Sequence, residues 1–93
     1  MHLAVATWDL HLDGCASLKD KRSRIKPLVT ALRRVNLSVA EIDHQDLWQR
    51  ATIAAVTVSS DRENAEKVLR GVEDETVGMV GSALVEATVE WIE

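Results

Sequence analysis

The chain has 93 residues and a mass of 10.3 kDa, which is the size of one small domain. Hydrophobic residues make up 46% of it and charged residues 28%, and no apolar run approaches the roughly 20 residues that a membrane-spanning helix needs. The first residues include no basic segment and the chain has one cysteine, Cys15. We therefore expect a cytoplasmic protein without a signal peptide, a membrane span or an internal disulfide.

The net charge of -4 is an average over two unlike parts of the chain. Residues 1–35 carry seven cations and three acids, whereas residues 36–93 carry four cations and twelve acids. The composition therefore predicts a polarised surface, with a basic region supplied by the first third of the chain.

The first predicted elements are a strand and a helix. Residues 3–12 alternate between two sides, which is typical of a strand. Ser17 is a predicted helix N-cap, with Asp20 in the capping-box position three residues later. Pro27 predicts a kink, or a loosely wound first turn before a firm helix, and Asn36 is the predicted end. The apolar residues that recur on one side of this helix are Leu18, Ile25, Leu28, Val29, Leu32 and Val35.

Two strands and a connection follow. Residues 37–43 and the segment 49–59, rich in Thr, Val and Ile, are predicted strands, and the polar residues 44–46 connect them as a hairpin. Residues 60–63 supply a second N-cap with its reciprocal glutamate. The apolar face of the second helix is formed by Ala65, Val68, Leu69 and Val72.

The last predicted elements are a loop, marked by Gly78 and Gly81, and a strand over residues 83–92. The order is therefore β-α-β-β-α-β. Two split β-α-β units form a ferredoxin-like α+β sandwich, with a four-stranded antiparallel sheet and both helices on one face. We expect residues 1–93 to be a single domain of this kind.

The first helix carries an unusual row of charge. At the helical spacing of 100° per residue, four cations fall on one flank of the helix, whereas Lys21 lies inside the apolar stripe and should extend off the end of the core. Such a row is typical of a solvated surface and also of a phosphate-binding surface. The candidate anion- or nucleic-acid-binding residues are Lys19, Lys21, Arg22, Lys26 and Arg33.

The topology places the beginning of the first helix beside the 44–48 hairpin, at the end of the sheet where the first strand finishes. We call this end the top edge. Glu41 and Asp43 are predicted to share one face of the second strand and to form ion pairs with Lys21, Arg22 or Arg50. The candidate top-edge cluster consists of Glu41, Asp43, His44, Asp46, Trp48 and Arg50.

Several kinds of site are disfavoured. The chain has no Phe or Tyr, and Trp8 and Trp91 alternate with core residues, so base stacking on the central strands is not expected. The histidines and Cys15 match no zinc-binding spacing, and neither a supported nucleophile nor a Gly-rich phosphate loop is present. We expect no metal, no cofactor and no catalytic residues.

Two motifs resemble one known family. The segments Ser17-Leu18-Lys19-Asp20-Lys21-Arg22 and Ser38-Val39-Ala40-Glu41-Ile42-Asp43-His44-Gln45-Asp46-Leu47-Trp48-Gln49-Arg50-Ala51 are similar to those of the YlxP-like family, a bacterial domain of unknown function. The resemblance covers essentially the whole chain and implies a ferredoxin-like fold. The genes of this family commonly lie beside those for transcription antitermination and translation initiation factors, which implies a role near RNA or the ribosome.

Three hypotheses of function follow. The leading one is a non-enzymatic accessory protein that binds RNA or the ribosome through the basic helix flank. The second is a small-molecule or anion site at the top edge, either regulatory or catalytic. The third is a structural homodimer, formed through the partly apolar sheet face that the two helices leave open.

Overall fold

The computed structural model describes residues 1–35 and 37–92, so the predicted helix end at Asn36 lies outside the described residues. The predicted order of elements is confirmed, and the fold is a ferredoxin-like sandwich. Within the described ranges, no helix is long and apolar enough to cross a bilayer. The elements are β1 (His2–His11), α1 (Leu18–Arg34), β2 (Ser38–Asp43), β3 (Arg50–Ser59), α2 (Arg62–Val80), a 3₁₀ turn (Gly81–Ala83) and β4 (Leu84–Trp91).

The four strands form one antiparallel sheet in the order β2-β3-β1-β4. Trp8 of β1 lies opposite Ile53 of β3, and both side chains are buried beneath the helices. Small residues surround this pair on the same face, which lets the helices pack close to the sheet. The other core residues of the two central strands are Ala4, Ala6, Leu10, Ala51 and Ala55, and those of the helices include Ile25, Leu28, Leu32, Leu69 and Val72.

The face of the sheet opposite the helices is partly apolar. The register places Leu3 opposite Val58 and Val5 opposite Val56 on this face. Val58 is 62% exposed and Val56 is also exposed, so a two-layer fold leaves these side chains in water. The homodimer expected through this face stays a prediction.

Two expectations about the helices were wrong, the loosely wound first turn before Pro27 and the loop at Gly78, whereas the kink at Pro27 stays a prediction. α1 begins at Leu18, immediately after the predicted N-cap Ser17, and runs through Pro27 without interruption. Pro27 is exposed, and so is Ser23, whose carbonyl the proline leaves without its helical donor. α2 continues past Gly78 to Val80, and only Gly81, with a φ of 51°, ends it. A glycine inside a helix lowers its stability without ending it, whereas a positive φ does end it.

Candidate functional site

The top edge is organised around a buried lysine. Lys21 on α1 is 1% exposed, and its Nζ lies 2.8 Å from Glu41 Oε2 of β2. The same Nζ donates to three backbone carbonyl oxygens, those of His44 at 2.8 Å, Gln45 at 3.2 Å and Arg50 at 3.3 Å. A buried ammonium is tolerated only when its protons and its charge are matched in this way. Lys21 therefore fastens α1 to the hairpin of residues 44–49.

This geometry changes the role expected of Lys21. The residue was expected to reach off the end of the core and to join the phosphate-binding row. Its ammonium instead turns inward, where it forms the ion pair predicted for Glu41. Lys21 is therefore not available to an external anion. The position of Lys21 inside the apolar stripe of α1 was a sequence signal that it is buried. Its carbonyl partners could not be predicted in the same way, because they lie 23 to 29 residues away in the chain.

The hairpin has a constrained backbone at His44. This residue has a φ of 61°, in the left-handed region that few residues other than glycine adopt. Its N–H donates to Asp43 Oδ1 at 2.8 Å, and its carbonyl accepts from both Lys21 and the Leu47 N–H. Gln45 adds a side-chain hydrogen bond to the Glu41 carbonyl. These contacts hold one conformation of the hairpin in place.

Glu41 and Asp43 do not share a face of β2, contrary to expectation. The register of β2 shifts between them, so that Glu41 lies opposite Ile53 whereas Asp43 lies opposite Thr52. Ile53 points to the helices, and Thr52 points to the open face, where its hydroxyl donates to Asp9 at 2.7 Å. The register shifts because β2 contains one residue, Ile42, that has no partner in β3. Strict alternation of side chains along a strand does not predict such an extra residue. The two carboxylates therefore do not form a joint acid–base pair.

A cleft lies on the outer side of the hairpin. It is an open depression of about 470 Å³, and its prominent side chain is Trp48, which is 52% exposed. The cleft contains three residues of the predicted cluster, Asp46, Trp48 and Arg50. The cleft also contains three residues outside the predicted cluster, His11, Leu47 and Gln49. The adjacent Leu47 and Trp48, an apolar pair in a polar connection, were a sequence signal for it. We call it the Trp48 cleft, lined by His11, Asp46, Leu47, Trp48, Gln49 and Arg50.

The other four predicted cations form an exposed surface on α1, which we call the basic flank (Lys19, Arg22, Lys26 and Arg33). At helical spacing they lie on one side of α1. Within the described part of the chain, none of the four forms an ion pair with a carboxylate. α1 as a whole carries seven basic side chains and one acidic side chain, Asp20. The basic flank is therefore an unneutralised positive surface.

The remaining polar residues at the top edge include Cys15 and the adjacent pair Asp43 and His44. Cys15 is buried, and its sulfur accepts a weak hydrogen bond from Arg24 at 3.8 Å. Across residues 1–35 and 37–92, no three His, Cys, Asp or Glu side chains are arranged to hold a metal ion. Asp43 Oδ2 lies 3.8 Å from His44 Nε2, a separation compatible with an ion pair when the imidazole is protonated.

Comparisons with solved structures show the same fold. An antibiotic biosynthesis monooxygenase matches with a TM-score of 0.59 and 13% identity, over 98% of this chain and 96% of that chain. SnoaB, a cofactor-independent oxygenase from Streptomyces nogalater, matches with a TM-score of 0.58 and 11% identity, over 100% and 93%. A de novo designed protein with a ferredoxin fold matches with a TM-score of 0.53 and 10% identity, over 98% and 82%. At such identities the likeness shows the fold alone.

Comparisons of sequence identify the family. One relative, described as Uncharacterized protein YlxP of Bacillus subtilis (strain 168), is 42% identical over 57 residues. That match covers 60% of this chain and about three-fifths (62%) of the relative. The family described as Protein of unknown function (DUF503) matches residues 3–89. The chain therefore belongs to this family of unknown function, as the resemblance of its two motifs predicted.

Proposed function

We propose that this protein is a non-enzymatic accessory factor that binds RNA, free or in the ribosome, by holding phosphates on the basic flank. The observation that carries the proposal is the absence of carboxylate partners for Lys19, Arg22, Lys26 and Arg33 among the described residues. Phosphate contacts of this kind are independent of sequence and need no enclosed pocket. RNA as a partner, together with a single cysteine that is buried and forms no disulfide, favours a cytoplasmic location.

The distribution of charge over the two helices also favours α1 as the RNA-binding surface. α2 carries five acidic and three basic side chains, and one of its arginines, Arg62, is paired with Glu66. A polyanion is therefore attracted to α1 and repelled by α2. This polarity reconciles a net charge of -4 with binding to a nucleic acid.

The top-edge small-molecule hypothesis receives less support from the geometry. It drew on Lys21, Glu41, Asp43, His44 and Arg50, and the first two of these are paired with each other. Lys21 is also buried, so an incoming anion would have to displace both a carboxylate and three carbonyl groups. The exposed cations of α1 face no such competition.

Charge reversal on the basic flank tests the proposal. We expect the variant Arg22→Glu/Lys26→Glu to bind a fluorescently labelled RNA about tenfold or more weakly than the wild type, because two phosphate contacts become repulsive. The affinity is measured by fluorescence anisotropy at fixed ionic strength, and co-sedimentation with ribosomes provides a second readout.

A matched control separates the position of the charge from its amount. The variant Lys67→Glu/Arg70→Glu reverses two exposed cations on α2 and therefore changes the net charge equally. We expect it to bind RNA within a few-fold of the wild type. Equal losses in the two variants, or no loss in either, would show that the basic flank is not the binding surface.

A further inference from the structure

The three tryptophans of the chain differ sharply in their surroundings. Trp8 is 3% exposed in the core, and Trp91 packs against the edge of the core with Arg62 over its ring at 4.3 Å. Trp48, by contrast, presents half of its surface to solvent on the hairpin, beside the exposed Leu47. Burial explains the first two indoles, but it does not explain the third.

The groups around Trp48 suit a nucleobase. Arg50 and His11 lie opposite each other in the pairing of β1 with β3, and both line the Trp48 cleft. An indole face offers a stacking surface, and a guanidinium beside it contributes positive charge and hydrogen-bond donors. Asp46 and Gln49 add acceptors for the N–H groups on base edges, such as the N3–H of uracil.

The cleft is also held in place before any ligand arrives. The His44 and Gln45 carbonyls are fixed by Lys21, and the Leu12 N–H donates to the Gln49 carbonyl at 2.8 Å. A stacking surface on a constrained hairpin loses little conformational entropy on binding. The backbone that carries the exposed indole is therefore preorganised, unlike that of a free loop.

Lys21 also connects the cleft with the basic flank. Its Nζ reaches the carbonyls of His44 and Arg50, and Arg22 follows it directly in the chain. Consecutive Cα atoms are about 3.8 Å apart. The backbone of Arg22 is thus separated from the hairpin by little more than one lysine side chain. His11 and Arg50 alternate with the buried Leu10 and Ala51 and so lie on the open face of the sheet, and a strand that contacts both surfaces passes around the top edge.

We propose that the Trp48 cleft binds an unpaired base, and that the RNA recognised by this protein is single-stranded. The inference rests on the proposed function, because the phosphates of the same strand lie on the basic flank. In a duplex the bases are stacked on one another and offer no free face, whereas a single strand can place a base on an indole. Trp48 stacks on the base, and Arg50 supports it from the adjacent strand end.

The test compares a labelled oligouridylate with an RNA duplex of the same length. We expect Trp48→Ala to weaken binding of the oligouridylate by roughly 5- to 150-fold, the range that one lost base–aromatic stack produces, and to leave duplex binding unchanged. Trp48→Phe keeps an aromatic face and should retain most of the affinity. Val85→Ala, an exposed apolar position on β4, serves as the control and should bind as the wild type does.

Each other outcome has a defined meaning. Base stacking is overturned if wild type and Trp48→Ala bind the oligouridylate equally, or if Trp48→Ala loses equal affinity for both RNAs. If Arg22→Glu/Lys26→Glu still binds RNA more weakly in that case, the proposed function stays intact. A loss in Trp48→Ala without any loss in Arg22→Glu/Lys26→Glu supports stacking and contradicts the basic flank. Wild-type protein that binds no oligouridylate, but captures a protein through Trp48, overturns the inference in favour of a protein partner.

Discussion

Replacing Lys21 by methionine is expected to lower the free energy of unfolding by about 3–5 kcal/mol, the cost of breaking a buried ion pair from one side. The substitution leaves the Glu41 carboxylate without its counter-charge and removes the donor shared by the His44, Gln45 and Arg50 carbonyls. Small domains are stable by only about 5–15 kcal/mol, so this loss removes a large fraction of the total stability. Urea denaturation followed by far-ultraviolet circular dichroism measures the change.

Two further variants identify the cause of that loss. Lys19→Met removes an exposed cation from the same helix and should change the free energy of unfolding by less than about 0.5 kcal/mol. Lys21→Met/Glu41→Gln removes both charges and should recover part of the stability, because no carboxylate is left unpaired. A Lys21→Met protein within about 1 kcal/mol of the wild type would show that the buried ion pair is not a structural requirement.

Truncating Trp8 to alanine should cost about 3–5 kcal/mol, a loss similar to that expected for Lys21→Met. The Trp8 side chain is 3% exposed and lies beside Ile53 on the helix-facing side of the central strands. Many of its neighbours on the sheet are alanines, which are too short to fill the cavity that remains. The midpoint of thermal unfolding and the urea midpoint both report the loss.

Trp48→Ala is the matched control, since it removes the same side chain from an exposed position. We expect a change in the free energy of unfolding of about 0.5 kcal/mol or less, and a normal circular dichroism spectrum. Similar losses for the two tryptophans would mean that Trp48 supports the fold, and its exposure would then need no ligand to explain it.

The order of strands and helices was predictable because each element has a local sequence signal. Alternation reveals β1, the Ser17 cap marks the start of α1, and Gly81 marks the end of α2. The errors arose where a local rule competes with tertiary contacts. Packing of the α1 core face keeps the helix continuous through Pro27, and Gly78 stays helical because a flexible residue weakens a helix without ending it.

The candidate site was predictable in its location but only partly in its contacts. Topology alone brings the beginning of α1 to the hairpin, and the hydrogen bonds of Lys21 confirm that the two segments meet. The partners of Lys21 are mostly backbone carbonyls, and two of them belong to the turn that contains the positive φ of His44. The separation of Glu41 from Asp43 depends on a shift of strand register. No residue pattern encodes either feature directly.

The dependence of RNA affinity on salt tests the central claim most directly, because it counts the phosphates that the protein neutralises. If the four cations of the basic flank contact a single strand, a plot of log K against log salt concentration should have a slope of about -2.8 or steeper, at ~0.7 per phosphate. Arg22→Glu/Lys26→Glu should make that slope shallower by about 1.4. A wild-type slope near zero, or an unchanged slope in the variant, would contradict RNA binding by the basic flank.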